Sequence, residues 1–238
     1  VARVHGDATL TQIVVGEGGH TVKTYTDQWG RTSNILVIPS AMHIVGTGSG
    51  PNAEGLTRIQ GGIRFEKGIE HCHLQNITLH HSELSGVLGE CAFTLQDVIV
   101  EHCHGTGLMG NGTGCNAICI NLMVHQCEGD GVAVQEGACI TLVGNKTTVH
   151  HNCKWYGSGF SVAGKYSTIQ LLYPLTKDVS HDNGRDWGVS DTAHLRQIKT
   201  VGAPTLHTHR AHRAHQVDYT REYLKIVNKH RRGLGTNT

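Results

Sequence analysis

Five stretches between Ile77 and Val189 say nearly the same thing, and this repetition constrains the fold more than any other feature of the chain. The copies are ITLHHSELSGV (Ile77 to Val87), VIVEHCHGTGL (Val98 to Leu108), LMVHQCEGDGV (Leu122 to Val132), TTVHHNCKWYGSGF (Thr147 to Phe160) and KDVSHDNGRDWGV (Lys177 to Val189). Each holds a short apolar run, a polar pair usually containing His, a small or polar bend, and Gly followed by an apolar residue. The pairs Gly86-Val87, Gly107-Leu108, Gly131-Val132, Gly159-Phe160 and Gly188-Val189 recur every ~21 to ~29 residues, the range in which self-similarity marks a solenoid.

The period has a physical meaning. The apolar runs are too short for helices and are separated by Gly, Asn and Asp, so each copy reads as strand, turn, strand, turn. Stacking the copies pairs each strand in parallel with its equivalent one coil away, at about 4.8 Å. A single coil cannot bury its apolar side, whereas a stack buries a continuous one. Alternation places Ile77, Leu79, Val98, Val100, Leu122 and Val124 inward, with Thr78, His80, Ile99 and Glu101 outward. Upstream, Ile59, Ile63 and Phe65 take the inward role in an early coil. The expectation is a single-stranded parallel β-helix, all-β, of about seven to nine coils.

Asp97-Val98-Ile99-Val100 with Cys103 and Gly107-Leu108, and Asn121-Leu122-Met123-Val124 with Cys127 and Gly131-Val132, resemble the coils of the right-handed, pectate-lyase-like β-helix superfamily. The resemblance covers roughly Val37 to Val201. It implies a right-handed winding. It implies little about activity, because that superfamily contains lyases, hydrolases, epimerases, phage tailspikes and non-catalytic scaffolds.

Residues 1–34 read as the N-terminal cap of the β-helix, residues 35–201 as its coils, and residues 202–238 as a basic, His-rich tail. Within the tail, Gln216 to Asn228 places Val217, Leu224 and Val227 near one face of a short helix that would close the open end of the stack. The 31 glycines, 4 prolines and few aromatics suit thin coils with many bends. A formal net charge of +1 gives no global field towards nucleic acid, and none is expected as a partner of the main domain. No run approaches the ~18 apolar residues of a membrane span. The eight cysteines follow the repeat, with Cys103 above Cys127 and Cys91 above Cys115. They read as buried stacked thiols, which slightly favours a reducing intracellular compartment, a secreted protein with its leader removed being the alternative.

Histidine is the unusual component, at 19 of 238 residues. Aligning the copies puts His80, Glu101, His125, His150 and Ser180 in one outward column, and His81, His102, Gln126, His151 and His181 in the next. His80, Glu101, His125 and His150 are therefore the candidate ligands of a divalent metal, Zn or Ca, although parallel side chains converge poorly and no cofactor is required. A second cluster lies in the last copies. Trp155, Tyr156, Asp182, Asp186 and Trp187 are candidate ligand-binding residues, since indole and phenol rings stack on sugars and carboxylates fix hydroxyls. Were the protein an enzyme, His181, Arg185, Tyr156 and Lys154 would supply the acid and base. The expected function is a non-catalytic recognition or structural module with a polysaccharide as first-choice ligand. The alternatives are a lyase or epimerase acting on uronic-acid polymers, and a scaffold that binds another protein.

Overall fold

The computed structural model describes residues 2–3, 11–26, 28, 30–48, 56–153, 157–189 and 197–202. Within them the short apolar runs are strands, and the strands stack into three parallel sheets of eight, eight and seven members. One coil shows the plan: Val87–Gly89 lies in the first sheet, Phe93–Gln96 in the second and Ile99–Glu101 in the third. The next coil repeats it with Leu108–Asn111, Asn116–Ile120 and Met123–His125. Val87 pairs with Leu108, Phe93 with Ala117 and Ile99 with Met123, so the backbone groups that one coil cannot satisfy are satisfied by its neighbours. The chain is an all-β parallel solenoid.

The stack begins earlier than residue 35. Gln12–Val15 pairs in parallel with Met42–Gly46, and Gly18–Thr21 pairs with Thr57–Gln60, so the N-terminal cap segment itself contributes strands. Among the described residues the one antiparallel pair is Tyr25–Thr26 with Thr32–Ser33. At the other end Ile198–Val201 pairs with Thr168–Leu172. The helix expected over residues 216–228 lies outside the described residues. No helix among those described is long and apolar enough to cross a membrane.

Alternation sorts the side chains as the pattern requires. Ile77, Leu79, Val98, Val100, Leu122 and Val124 are buried, as are Ile59, Ile63 and Phe65. Thr78 departs from expectation: it occupies an outward position yet is buried. Its ladder neighbours are Arg58 and Ile99, and the Arg58 guanidinium reaches past it to Glu101, two coils on. The arginine stem thus covers the hydroxyl side chain from outside.

The repeated glycine has a steric cause. A Cβ at Gly107 would lie 2.2 Å from Val124 Cγ1 and 2.8 Å from the Gly131 carbonyl, and Gly86 and Gly131 face Val100 and Val149 in the same way. Each of these glycines lies where the chain turns into the first sheet, directly beside the inward Val of the following coil. Two further rows of corners use left-handed backbone. Asn76, Asp97 and Asn121 have φ of 52 to 55° at the corner between the second and third sheets, and Asn121 Nδ2 donates to Asp97 Oδ1 at 2.9 Å. His81, His102, Gln126, His151 and Asp182 have φ of 51 to 57° at the corner between the third and first. Asn, Asp and His are the residues other than Gly that enter this conformation most often, which suits both rows.

The eight cysteines are free, and all but Cys139 are buried. Cys103 Sγ donates to the Glu101 carbonyl at 3.5 Å, and Cys127 Sγ repeats the contact one coil on with the His125 carbonyl at 3.7 Å. Burial pushes the Cys119 thiol well above the ordinary thiol range and Cys115 up to about 12. These thiols stay protonated at neutral pH and act as small core side chains.

Candidate functional site

The strands of the third sheet end in register, which sets the positions of the histidines. His80 pairs with Glu101, Glu101 with His125, His125 with His150, and His150 with His181. The last step corrects the sequence alignment, which placed Ser180 in this row and His181 in the next. A 3-10 turn over Lys177–Val179, capped by Thr176, adds one residue before the strand. Ser180 therefore takes the inward place opposite Val149, and Asp182 rather than His181 joins the left-handed row.

The first row is a ladder of parallel rings. The His125 and His150 centroids are 5.2 Å apart with planes at 4°, and His150 and His181 are 5.3 Å apart at 7°. Glu101 interrupts the imidazoles, held by Arg58 on one side and by His125 Nε2 at 3.3 Å on the other. Burial, reinforced by Arg58 and by nearby imidazoles, lowers the His80 pKa, and burial with His125, His151 and His181 lowers that of His150. Stacked rings direct their lone pairs side by side rather than to a point. Among the described residues no group of three or more His, Cys, Asp or Glu is arranged to hold a metal ion.

The four histidines of the ladder also hold their left-handed neighbours. His80 Nδ1 lies 2.9 Å from His81 Nδ1 and His150 Nδ1 lies 2.8 Å from His151 Nδ1, one ring donating and the other accepting. His125 Nδ1 donates to Gln126 Oε1 at 3.1 Å, and His181 Nδ1 to Asp182 Oδ2 at 2.9 Å. The hydrogen bond from His181 lowers the pKa of Asp182, a fully exposed carboxylate.

After the left-handed row the chain dips inward for one residue and emerges again, and the dip repeated coil after coil makes a groove parallel to the solenoid axis. One wall is the row His81, His102, Gln126, His151 and Asp182; the other carries His104, Glu128, Cys153 and Gly184. Cys127, Asn152 and Asn183 close the floor. The cleft has a volume of about 900 Å³. Five coils separated by ~4.8 Å make it ~19 Å long. Glu83, beside the N-terminal end, holds His104 at 3.2 Å.

The floor is fixed by buried amides. Asn152 Oδ1 accepts from the Cys127 N–H at 3.0 Å, and its Nδ2 donates to the Val124 carbonyl at 3.0 Å. Asn183 repeats the arrangement one coil later, donating to the Val149 carbonyl at 3.0 Å and accepting from the Asn152 N–H at 2.9 Å. At the other end of the row Asn34 accepts from the Glu83 N–H and donates to the His81 carbonyl.

The residues expected at the site are distributed differently from the sequence reading. Asp182 lines the groove, and His181 lies in the ladder beside it. Arg185 and Asp186 sit on the exposed bend beyond Gly184, where the Asp186 carbonyl accepts from Ser180 Oγ and the Phe160 N–H. Trp187 pairs with Phe160, so it belongs to the inward row of the first sheet and Asp186 takes the place expected for Gly188. Its ring is the last described member of that row and is 47% exposed, with Lys177 Nζ 4.8 Å from the ring centroid. Lys154, Trp155 and Tyr156 lie outside the described residues. Sequence reasoning paired His104 with His102 as a possible chelate, and missed Glu128, Asn152 and Asn183. Glu128 stands three residues after its ladder residue, and Asn152 and Asn183 two after theirs, but a period of two does not show that the chain dips between two facing rows.

A second imidazole stack lies away from the groove, on the outer face of the second sheet. His43 and His73 are paired in register with centroids 4.3 Å apart and planes at 4°, and the Nε2 atoms of both are buried without a hydrogen-bond partner. Burial first, then His43 and His71, lowers His73 from the ordinary 6.5 to about 4. The unfolded chain therefore takes up this proton before the folded one does. Stability is complete above the ordinary histidine range and falls as pH drops towards 4, by up to about 3 kcal/mol from the shift, or about 2 kcal/mol allowing for solvent screening. Urea midpoints at neutral and acidic pH should show this loss, and His73→Gln should flatten the dependence.

No protein-family model, curated protein or solved structure matches this chain, so the functional reading rests on the groove.

Proposed function

We propose that the chain is a non-catalytic recognition module that holds an extended polysaccharide along the axial groove. The observation that carries this reading is the left-handed row, which presents one hydrogen-bonding side chain per coil, imidazole, carboxamide or carboxylate, and is faced across the groove by His104 and Glu128. A linear polymer rich in hydroxyls meets such a repeat with a repeat of its own. The described lining of the groove holds no Lys or Arg, which a nucleic-acid site would need. The resemblance to right-handed, pectate-lyase-like coils adds a fold-level reason to choose a glycan.

A second reading, a lyase or epimerase acting on uronic-acid polymers, draws on one observation. Asp182 fixes Nδ1 of His181, which leaves Nε2 to act as a base. Incubating the protein with a glycan panel separates the readings: retention without product supports recognition, and unsaturated or shortened products that vanish in His181→Ala support the enzyme. Absence of both favours a protein-binding scaffold. For a retained glycan, replacing His102 and His151 together with Ala should weaken binding about tenfold to thirtyfold. Two hydrogen bonds of about 1 kcal/mol each are lost. The thermal midpoint should barely move, because both side chains are at the surface.

A further inference from the structure

The charges along the groove narrow the class of glycan, on the premise that the groove binds one. Among its described lining residues there is no Lys or Arg, and the formal charges are the carboxylates of Glu128 and Asp182. Glu128 follows the ladder residue His125 and Asp182 follows His181, so the two acids stand two coils apart, or ~10 Å along the axis. His151 lies between them on the wall. Glu83 adds a third acid beside the N-terminal end, next to His104. Among the described residues, Arg58 is spent on Glu101, Lys177 lies over Trp187, and Arg185 sits on the exposed bend outside the lining.

We infer that the groove takes a linear amino-sugar polysaccharide with free amines, its ammonium groups meeting Glu128 and Asp182 and its hydroxyls meeting the imidazole and amide walls. A uronic-acid polymer would bring carboxylates against these two acids, and like charges placed face to face across an interface oppose binding. A neutral glycan would make the hydroxyl contacts but leave both acids without a counter-charge. Asp182 is suited to the role, because its hydrogen bond from His181 keeps it ionised to low pH.

The test compares a glucosamine oligomer with the N-acetylglucosamine oligomer of the same length, at a pH where the free amine is protonated and at low and high salt. The same titrations are run on Glu128→Gln/Asp182→Asn, whose fold is checked by circular dichroism. The expected result is binding of the free-amine oligomer about tenfold tighter than its acetylated form, an advantage lost in the double variant and at high salt. Equal binding of the two oligomers, or unchanged binding of the free-amine oligomer by the double variant, would overturn the inference and leave the polysaccharide reading standing. Failure of both oligomers while another glycan of the panel is retained would also overturn the inference alone. Failure of every glycan would overturn the reading on which it rests.

Discussion

Phe93→Ala is expected to destabilise the solenoid by about 3 to 5 kcal/mol, the upper range for truncating a core aromatic. Phe93 is fully buried, and its ring meets Phe65 of the preceding coil at 5.3 Å, tilted by 38°. The surroundings are shaped around it. A Cβ on Gly89 would come within 1.9 Å of the ring, and its ladder neighbours are Cys72 and Ala117. None of these three has atoms that could reach into the vacated space, and both flanking coils are pinned by backbone pairing. The cavity should therefore stay open rather than collapse. Chemical denaturation reads the loss directly as a lower midpoint with an unchanged slope. Phe93→Leu, which keeps most of the volume, should cost about 1 to 1.5 kcal/mol. A loss below about 1 kcal/mol for Phe93→Ala would mean that the coils can slide or collapse, contrary to the registers described.

Asn152→Ala is the second large effect, at about 2 to 4 kcal/mol. The side chain is 2% exposed and satisfies a backbone donor, the Cys127 N–H, and a backbone acceptor, the Val124 carbonyl, both belonging to the preceding coil. Alanine leaves the Cys127 N–H buried without its acceptor, which costs about 1 to 3 kcal/mol, and takes a donor from the Val124 carbonyl and from Asn183 Oδ1, at about 1 kcal/mol or less each. Asn152→Asp is a sharper probe than alanine. It keeps the acceptor for Cys127 but places an acceptor against the Val124 carbonyl, so it should also be destabilising, and increasingly so as the carboxyl ionises. Because Asn152 lies in the groove floor, hydrogen exchange at Cys127 should accelerate in both variants. Protection unchanged from the wild type would remove the amide row from the account.

Much of the fold could be read from the sequence, because a solenoid announces itself through its period. Ile77, Leu79, Val98, Val100, Leu122 and Val124 were assignable because alternation needs only a correct strand, and the three extra residues between Leu108 and Ala117 fall in a turn. The repeated glycine was visible, but its cause, the approach of Val124 to Gly107, emerges only from the packed coils. The last coil was misread for a local reason. The 3-10 turn over Lys177–Val179 and the short bend after Asn183 shift its register by one residue at Ser180 and by two at Trp187, and a motif aligned by eye hides both shifts. Trp187 thereby moves from the expected binding edge to the end of the core. The groove was half legible. One wall follows from the histidine column, but the facing wall depends on left-handed corners at His81, His102, Gln126 and His151, and neither His nor Gln is confined to that conformation.

The most direct test of the groove reading is to follow the histidine Cε1–H resonances, assigned by single substitutions, while the best-retained oligosaccharide of the panel is added to saturation. His81, His102 and His151 line the groove, whereas His43 and His73 lie on the second sheet and serve as internal controls. The expected result is that the groove signals move together along one binding curve while those of His43 and His73 stay in place. Saturation with His81, His102 and His151 unmoved would contradict the account and place binding elsewhere on the solenoid.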